Sequence, residues 1–429
     1  MADNFDYNVL EKTSGRNGRC SRSTILVFVL SVTVIALVVV IAVTYGKDLQ
    51  CDDKYHKNHA HNRSKNSSKI HNSTTGNKNS STIHNSTASS NSMSFFLFSD
   101  VHLDPYYKAM AGNDFCRNES KPSTYNASYG RTGCDSPLRL LLEGLDAMKE
   151  HAHNLPNLDF VMLSGDTCAH RIKTDRKNVV LEIMNTTSKA VKLRFPDIPY
   201  FPSIGNNDIP GHYVMPAEND TWYSDLLNIW QDAILCKHCN MSYQTTTEAE
   251  LRKTFLYGGY YSVSIAGGNM TLLVLNSMYW TSSTWRPDDY FQERAEKQIK
   301  WIEEQLQLAK STNKKVILTS HIPPGIDAYA GKILWLSNFT DLYMDLVTNK
   351  FSEVVAGQIY AHFHKDSFRF LQANKKDLSY KNSSYILLMP SLSPVYRNNP
   401  NFRVVHLDPG LRAIKDYEQW YMNLVMATG

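Results

Sequence analysis

From Ser94 onward the chain alternates between short apolar runs and stretches with helical periodicity. Phe95–Ser99 is apolar but too short for a helix, so it predicts a strand. Leu138, Leu141, Leu142, Leu145 and Met148 recur at i, i+3, i+4 and i+7, which predicts a helix over 137–153. Val180, Ile183, Met184 and Val191 do the same for 175–194, and Ile299, Ile302 and Leu306 for 292–310. Between them, Phe160–Leu163 and Tyr200–Ile204 read as strands, and Tyr260–Ile265 with Thr271–Leu275 as a hairpin. Val316–Thr319, Val354–Ile359, Phe368–Leu371, Ile386–Met389 and Val404–Leu407 complete the predicted strands. Strands interleaved with amphipathic helices give an α/β body with mixed sheets.

The first 93 residues follow neither period. Residues 24–45 contain no charge, long enough to span a bilayer core of roughly 30 Å. Arg16, Arg19 and Arg22 precede this stretch and Asp48, Asp52 and Asp53 follow it. The positive-inside tendency then predicts a signal-anchor: residues 1–23 a cytosolic tail, 24–45 a transmembrane helix, and everything after it lumenal or extracellular. Residues 46–93 are rich in Ser, Asn, His, Lys and Thr and cannot bury enough surface to fold, so they read as a disordered, glycosylated stalk. The catalytic body is expected over 94–410, with a short C-terminal segment over 411–429. The expected topology is a single-pass type II membrane protein of a lysosome-like, vacuole-like or extracellular compartment.

Charge and sequons fit this division. The body carries 34 Lys and Arg against 35 Asp and Glu, so the basic pI near 8.5 comes from the tail and stalk. That removes the compositional argument for a nucleic-acid partner. Asn-x-Ser/Thr occurs in the body at Asn118, Asn126, Asn185, Asn219, Asn240, Asn269, Asn338 and Asn382, all candidate glycosylation sites, and nowhere before residue 46. An oxidising compartment favours disulfides. Cys116–Cys134 and the local pair Cys236–Cys239 are the expected ones.

Five strands run straight into residue types that bind metals: SDVH at 99–102, SGDTCAH at 164–170, GNND at 205–208, SHIPPG at 320–325 and AHFH at 361–364. Ligands of α/β sheets bind beyond the carboxyl ends of strands. Together the segments offer Asp100, His102, Asp166, Asn206, His321, His362 and His364. This oxygen and imidazole set is large enough for two divalent cations if one carboxylate bridges, and it suits zinc, iron or manganese.

The ordered set D-x-H, G-D, G-N-x-D, H and H-x-H resembles the calcineurin-like metallophosphoesterases, over roughly residues 94–410. The resemblance implies their four-layer αββα sandwich of mixed sheets. It also implies one metal held by Asp100, His102, Asp166 and His364 and a second by Asn206, His321 and His362, with Asp166 bridging. The family's usual Gly before the last H-x-H is Ala361 here. SDVHLDPYY, CDSPLRLL, GDTCAH, GQIYAHFHKDSFRFL and SPVYRNNPNFRVV are similar to the acid sphingomyelinase-like phosphodiesterases. No cysteine-rich saposin-like segment precedes the body, and Tyr417–Leu424 resembles the start of that group's C-terminal helical region.

Asn207 stands where the sphingomyelinase group has a histidine, and GNND followed by His212 resembles the endopolyphosphatases instead. The implied activity is hydrolysis of a small-molecule phosphodiester or nucleotide phosphate, with polyphosphate as the alternative substrate. An inactive surface receptor on the same fold is the reading from another class. His170 and His212 are the candidate proton donors. Tyr106, Tyr107 and Asn207 are the candidate substrate contacts.

Overall fold

A computed structural model describes residues 92–428 except 113–115, 121, 240, 242 and 373–381. The expected tail and anchor and the stalk up to residue 91, with Cys20 and Cys51, lie outside these residues, as does Asn240; the stalk boundary drawn at residue 93 is corrected, because Met93 already opens a strand that pairs within the body. Among the described residues, no helix is long and apolar enough to cross a membrane.

Two mixed sheets form the body. The first has the order β11-β10-β1-β2-β3 and contains β1 (Met93–Phe98), β2 (Leu158–Leu163), β3 (Tyr200–Pro202), β10 (Asn401–Asp408) and β11 (Ala413–Tyr421). Strands β1, β2 and β3 are parallel, while β10 and β11 run antiparallel to their neighbours. The second has the order β4-β5-β6-β7-β9-β8. It contains β4 (Tyr261–Ile265), β5 (Met270–Val274), β6 (Lys315–Thr319), β7 (Val355–Tyr360), β8 (Ser367–Gln372) and β9 (Ser383–Leu388). Here β5, β6, β7 and β9 are parallel and the two outer pairings antiparallel.

Strands buried on both faces read as continuous apolar runs. FFLF in β1 and FVML in β2 are such runs, and each of these residues is at most 1% exposed. Hydrogen bonds join the two sheets. The Tyr261 hydroxyl donates to Pro202 O at 2.8 Å, and the hydroxyls of Ser164 and Thr319 meet at 3.4 Å.

The predicted helices form as α1 (Leu138–Ala152), α2 (Arg176–Arg194) and α5 (Asp289–Ser311). Helix α5 starts where Asp288 caps it, its carboxylate accepting from Phe291 N. On α1 the buried face is Leu140, Leu141, Leu145 and Met148, and Leu138, expected inside, is 43% exposed. Helices α3 (Trp222–Leu235), α4 (Glu248–Gly258), α6 (Ser337–Met344) and α7 (Leu424–Thr428) were not predicted. On α3 the buried residues Trp222, Leu226, Trp230 and Ala233 recur at helical spacing along one face, so the sequence does carry its stripe.

The C-terminal reading needs correction. Tyr417–Tyr421, expected to begin a helical region, belongs to strand β11 and pairs antiparallel with β10. As an edge strand with mostly exposed side chains, β11 has no apolar run to announce it. The sheet therefore continues past the boundary drawn at residue 410.

Both expected disulfides, Cys116–Cys134 and Cys236–Cys239, are present, and Cys168 is a buried free thiol.

Candidate metal centre

Strands β1, β2, β3, β6 and β7 deliver their following loops to one place. Asp100 and His102 follow β1, Asp166 follows β2, Asn206 follows β3, His321 follows β6, and His362 and His364 follow β7. Asp100, His102, Asp166, His362 and His364 all adopt left-handed backbone conformations, with φ between 45° and 75°. Such residues cost of order 1–3 kcal/mol each and persist only where the surroundings over-determine them. The strand ends turn sharply enough to aim successive side chains inward. Ala361, standing for the expected glycine, makes no such turn; His362 makes it instead, at φ 75°.

Six of the seven side chains fall into two groups whose donor atoms lie within 4.8 Å of one another: Asp100, His102 and His364, and Asp166, His321 and His362. Asp166 Oδ2 lies between the groups, 3.3 Å from His321 Nε2 and 3.7 Å from His102 Nε2. His364 Nε2 is 3.2 Å from both Asp100 Oδ1 and His102 Nε2. Asn206 joins from the β3 loop, 4% exposed.

Surrounding groups fix which atoms face the centre. His102 donates Nδ1–H to Cys168 O at 3.0 Å, and His321 donates Nδ1–H to Ser164 O at 2.8 Å. Both imidazoles therefore turn Nε2 toward the carboxylates. Ser99 Oγ donates to Asp100 Oδ2, while Asp100 Oδ1, Asn206 Oδ1 and His364 Nδ1 are buried and accept or donate no hydrogen bond. Buried polar atoms left without partners are costly. Here they are of the types that bind a hard or borderline divalent cation, so the residues fit metal binding.

Electrostatics favour the same occupancy. Burial pushes the Asp100 carboxyl up, but His364 and His321 outweigh it and bring it down to about 2. Asp166 is held well below the usual carboxylate range, where His321 and His102 outweigh burial. Burial, helped by the neighbouring His170, pushes His102 down to about 3, and burial holds His362 low as well. His321 goes the other way, up to about 9, because Asp166 outweighs burial. Ionised carboxylates beside neutral imidazoles are the forms that ligate metal, so His321 must give up its proton when a cation takes its place beside Asp166.

The other predicted residues surround this centre. His170 stacks on His102 with ring centroids 4.2 Å apart, and Tyr396 packs edge-on against His170 and His364. His212 Nε2 meets the Asn206 amide at 3.3 Å. Asn207, expected at the substrate, donates from its backbone and side-chain nitrogens to both oxygens of Asp166, at 2.8 and 2.9 Å. Tyr106 is 45% exposed, and the Tyr107 hydroxyl donates to Ala127 O at 2.7 Å.

Sequence reasoning missed two buried carboxylates. Asp208 accepts from Cys168 N and Gly205 N and so ties the β2 loop to the β3 loop. Asp135 pairs with His170 Nδ1 at 2.8 Å and forms a third donor group with His102 and His170. Its signal was its place directly after Cys134, within CDSPLRLL.

No family model matches the chain. Individual relatives do. A cyclic GMP-AMP phosphodiesterase of Bos taurus is 26% identical over 353 residues, spanning 78% of this chain and 71% of that protein. Acid sphingomyelinase-like phosphodiesterase 3b of Homo sapiens is 28% identical over 351 residues, with the same two coverages. Among solved structures, PhoD shares 11% identity across 74% of this chain and 64% of its own, at a TM-score of 0.39. With motifs and sequence relatives agreeing over most of its length, this chain is a homologue of the acid sphingomyelinase-like phosphodiesterases.

Proposed function

We propose that this chain is a binuclear metal-dependent phosphodiesterase, acting on small-molecule phosphodiesters or nucleotide phosphates in a lumenal or extracellular compartment. The observation that carries this reading is the convergence of seven buried or half-buried ligand-type side chains from five strand ends, four of them (Asp100, Asn206, His321 and His364) with a buried polar atom that makes no hydrogen bond. Asp100, His102, Asp166 and His364 would hold one cation, and Asn206, His321 and His362 a second, with Asp166 shared. The position of Asp166 Oδ2 between His102 and His321 supports that sharing. Zinc suits the donor set, with iron or manganese as alternatives. The two facing mixed sheets would form the inner layers of the family's αββα sandwich.

Two bound cations would supply Lewis acidity toward a phosphoryl oxygen and a lowered pKa for the attacking water. The chain's own residues do the rest. Asn207 and the backbone of its loop hold Asp166 in place. The His212 contact orients the Asn206 amide so that its oxygen stays directed away from His212. His170 is the proton donor to the leaving oxygen. It packs on ligand His102 and is anchored through Nδ1, whereas His212 Nε2 already meets Asn206.

That engagement of His212 also weakens the polyphosphatase alternative, as do relatives named as phosphodiesterases. The name of one relative adds cyclic dinucleotides to a substrate panel of sphingomyelin, nucleotides and polyphosphate. Purified protein is expected to hydrolyse bis-p-nitrophenyl phosphate, to lose that activity to a chelator and to regain it with zinc. Protein that binds no metal and turns over no phosphodiester would overturn the proposal.

The compartment has its own test. The described body sequons are all exposed or, for Asn185, half-buried, so each can carry a glycan. Glycosidase treatment of protein from a eukaryotic host is expected to increase gel mobility. An unchanged band would contradict the lumenal or extracellular placement.

A further inference from the structure

We propose that Asp135 and Arg117, joined through the Cys116–Cys134 disulfide, form a frame that positions the His170 imidazole for proton transfer. This rests on the phosphodiesterase reading above and extends it to residues outside the metal-binding set.

Asp135 grips His170 twice. Its Oδ1 meets the imidazole Nδ1 at 2.8 Å, and its Oδ2 accepts the backbone N–H of His170 at 2.8 Å. The carboxylate is fully buried. A buried carboxylate beside Nδ1 fixes the tautomer that carries hydrogen there, so Nε2 is the other atom able to exchange a proton. Arg117 grips the same residue from its carbonyl side. Its Nη2 donates to His170 O at 2.6 Å and lies 3.8 Å from Asp135, while its Nε donates to Asp104 at 2.7 Å. His170 is thus held at its N–H, its C=O and its ring.

The two gripping residues directly follow the two half-cystines: Cys116-Arg117 and Cys134-Asp135. Between 104 and 137 the described residues include no α-helix or β-strand. The segment is held instead by the disulfide and a small buried cluster of Cys116, Cys134 and Ala111 with Tyr107 against it. On the other side, Asp104 N donates to Ser136 O and Ser136 N to His102 O, which registers Asp135 against the metal-binding loop of β1. The bridge therefore fixes the spacing of Arg117 and Asp135, and with it the placement of His170.

In the step served, a water oxygen bonds to phosphorus as the bond from phosphorus to the leaving oxygen breaks. The leaving oxygen keeps that electron pair and takes the proton from Nε2 of the His170 imidazolium, which becomes the neutral ring with its hydrogen on Nδ1 against Asp135, while the attacking water gives up a proton to solvent. A p-nitrophenolate leaves without that proton, but an alkoxide does not.

The experiment compares full-length metal-loaded wild type with Asp135→Asn and with the double variant Cys116→Ser, Cys134→Ser. Two substrates are used: bis-p-nitrophenyl phosphate and a diester with an alkyl leaving group that wild type cleaves. Both variants are expected to lose about 10²–10³-fold in kcat on the alkyl diester, within the usual range of general acid catalysis. They should lose less than about 10-fold on the aryl diester and keep wild-type metal content by elemental analysis. Nitrogen-15 shifts of the neutral His170 ring should report the Nδ1–H tautomer in wild type and a changed tautomer population in Asp135→Asn.

Equal losses on both substrates, lost metal, unchanged rates on both, or an unchanged tautomer would each overturn the frame. Should the double cysteine variant fail to fold, the isosteric Asp135→Asn carries the same comparison. Wild type that cleaves neither diester and holds no metal would overturn the phosphodiesterase reading itself, before any variant is considered.

Discussion

Asp166→Asn is expected to lower turnover of an aryl phosphodiester by more than about 100-fold and to reduce bound metal. Removing a group that merely supports a ligand typically costs about 10–100-fold in affinity or activity. Asp166 is placed to do more, because its Oδ2 lies within 3.7 Å of imidazoles from both donor groups. The amide is nearly isosteric, so packing should survive, but it carries no charge. It would also present an N–H to Asn207, whose side-chain and backbone nitrogens both donate to the carboxylate. Metal analysis together with steady-state kinetics checks this. Full activity with two metals retained would remove Asp166 from the bridging position.

Gly205→Ala should damage the same centre from the backbone side. A Cβ at Gly205 would fall well inside contact distance of Asp166 Oδ1 and of the Asp166 backbone nitrogen. Neither is the far end of a flexible chain, so the loop after β3 must move away from the loop after β2. Overpacking of this kind costs about 1–3 kcal/mol. The larger effect should be catalytic, since a misplacement of about 1 Å can cost around 10²-fold. Thermal unfolding and kcat measured on one preparation separate the two. A variant with wild-type kcat would mean that the loops separate without disturbing Asp166.

Helices α1, α2 and α5 were legible because each buries one stripe of an otherwise polar cylinder, which imprints the helical period on the chain. Strands β1 and β2 were legible because burial on both faces leaves unbroken apolar runs. Where those conditions fail, reading failed. Edge strand β11 exposes most of its side chains and shows no run.

The candidate metal-binding residues were legible for a different reason. A cation demands particular donor types, and strand ends place them in short, ordered segments, so chemistry and topology both mark the chain locally. Asp135 and Arg117 carry no such mark, and Asp208, which closes the GNND segment, carries none that tells a tie between loops from a ligand. Their partners lie 35, 53 and 40 residues away, and a lone Asp or Arg in a loop reads as surface.

Sequence alone therefore determined the class of fold, the order of most strands and the seven donor-type residues that the strand ends bring together, all properties of local periodicity and side-chain chemistry. Tertiary structure decided what Asn207 and His212 touch: Asp166 in one case and Asn206 in the other. It also decided that His170 is held by Asp135 and Arg117. Such contacts arise only when loops from separate strands are brought together, and their register is set by sheet pairing that leaves no trace near the residues concerned.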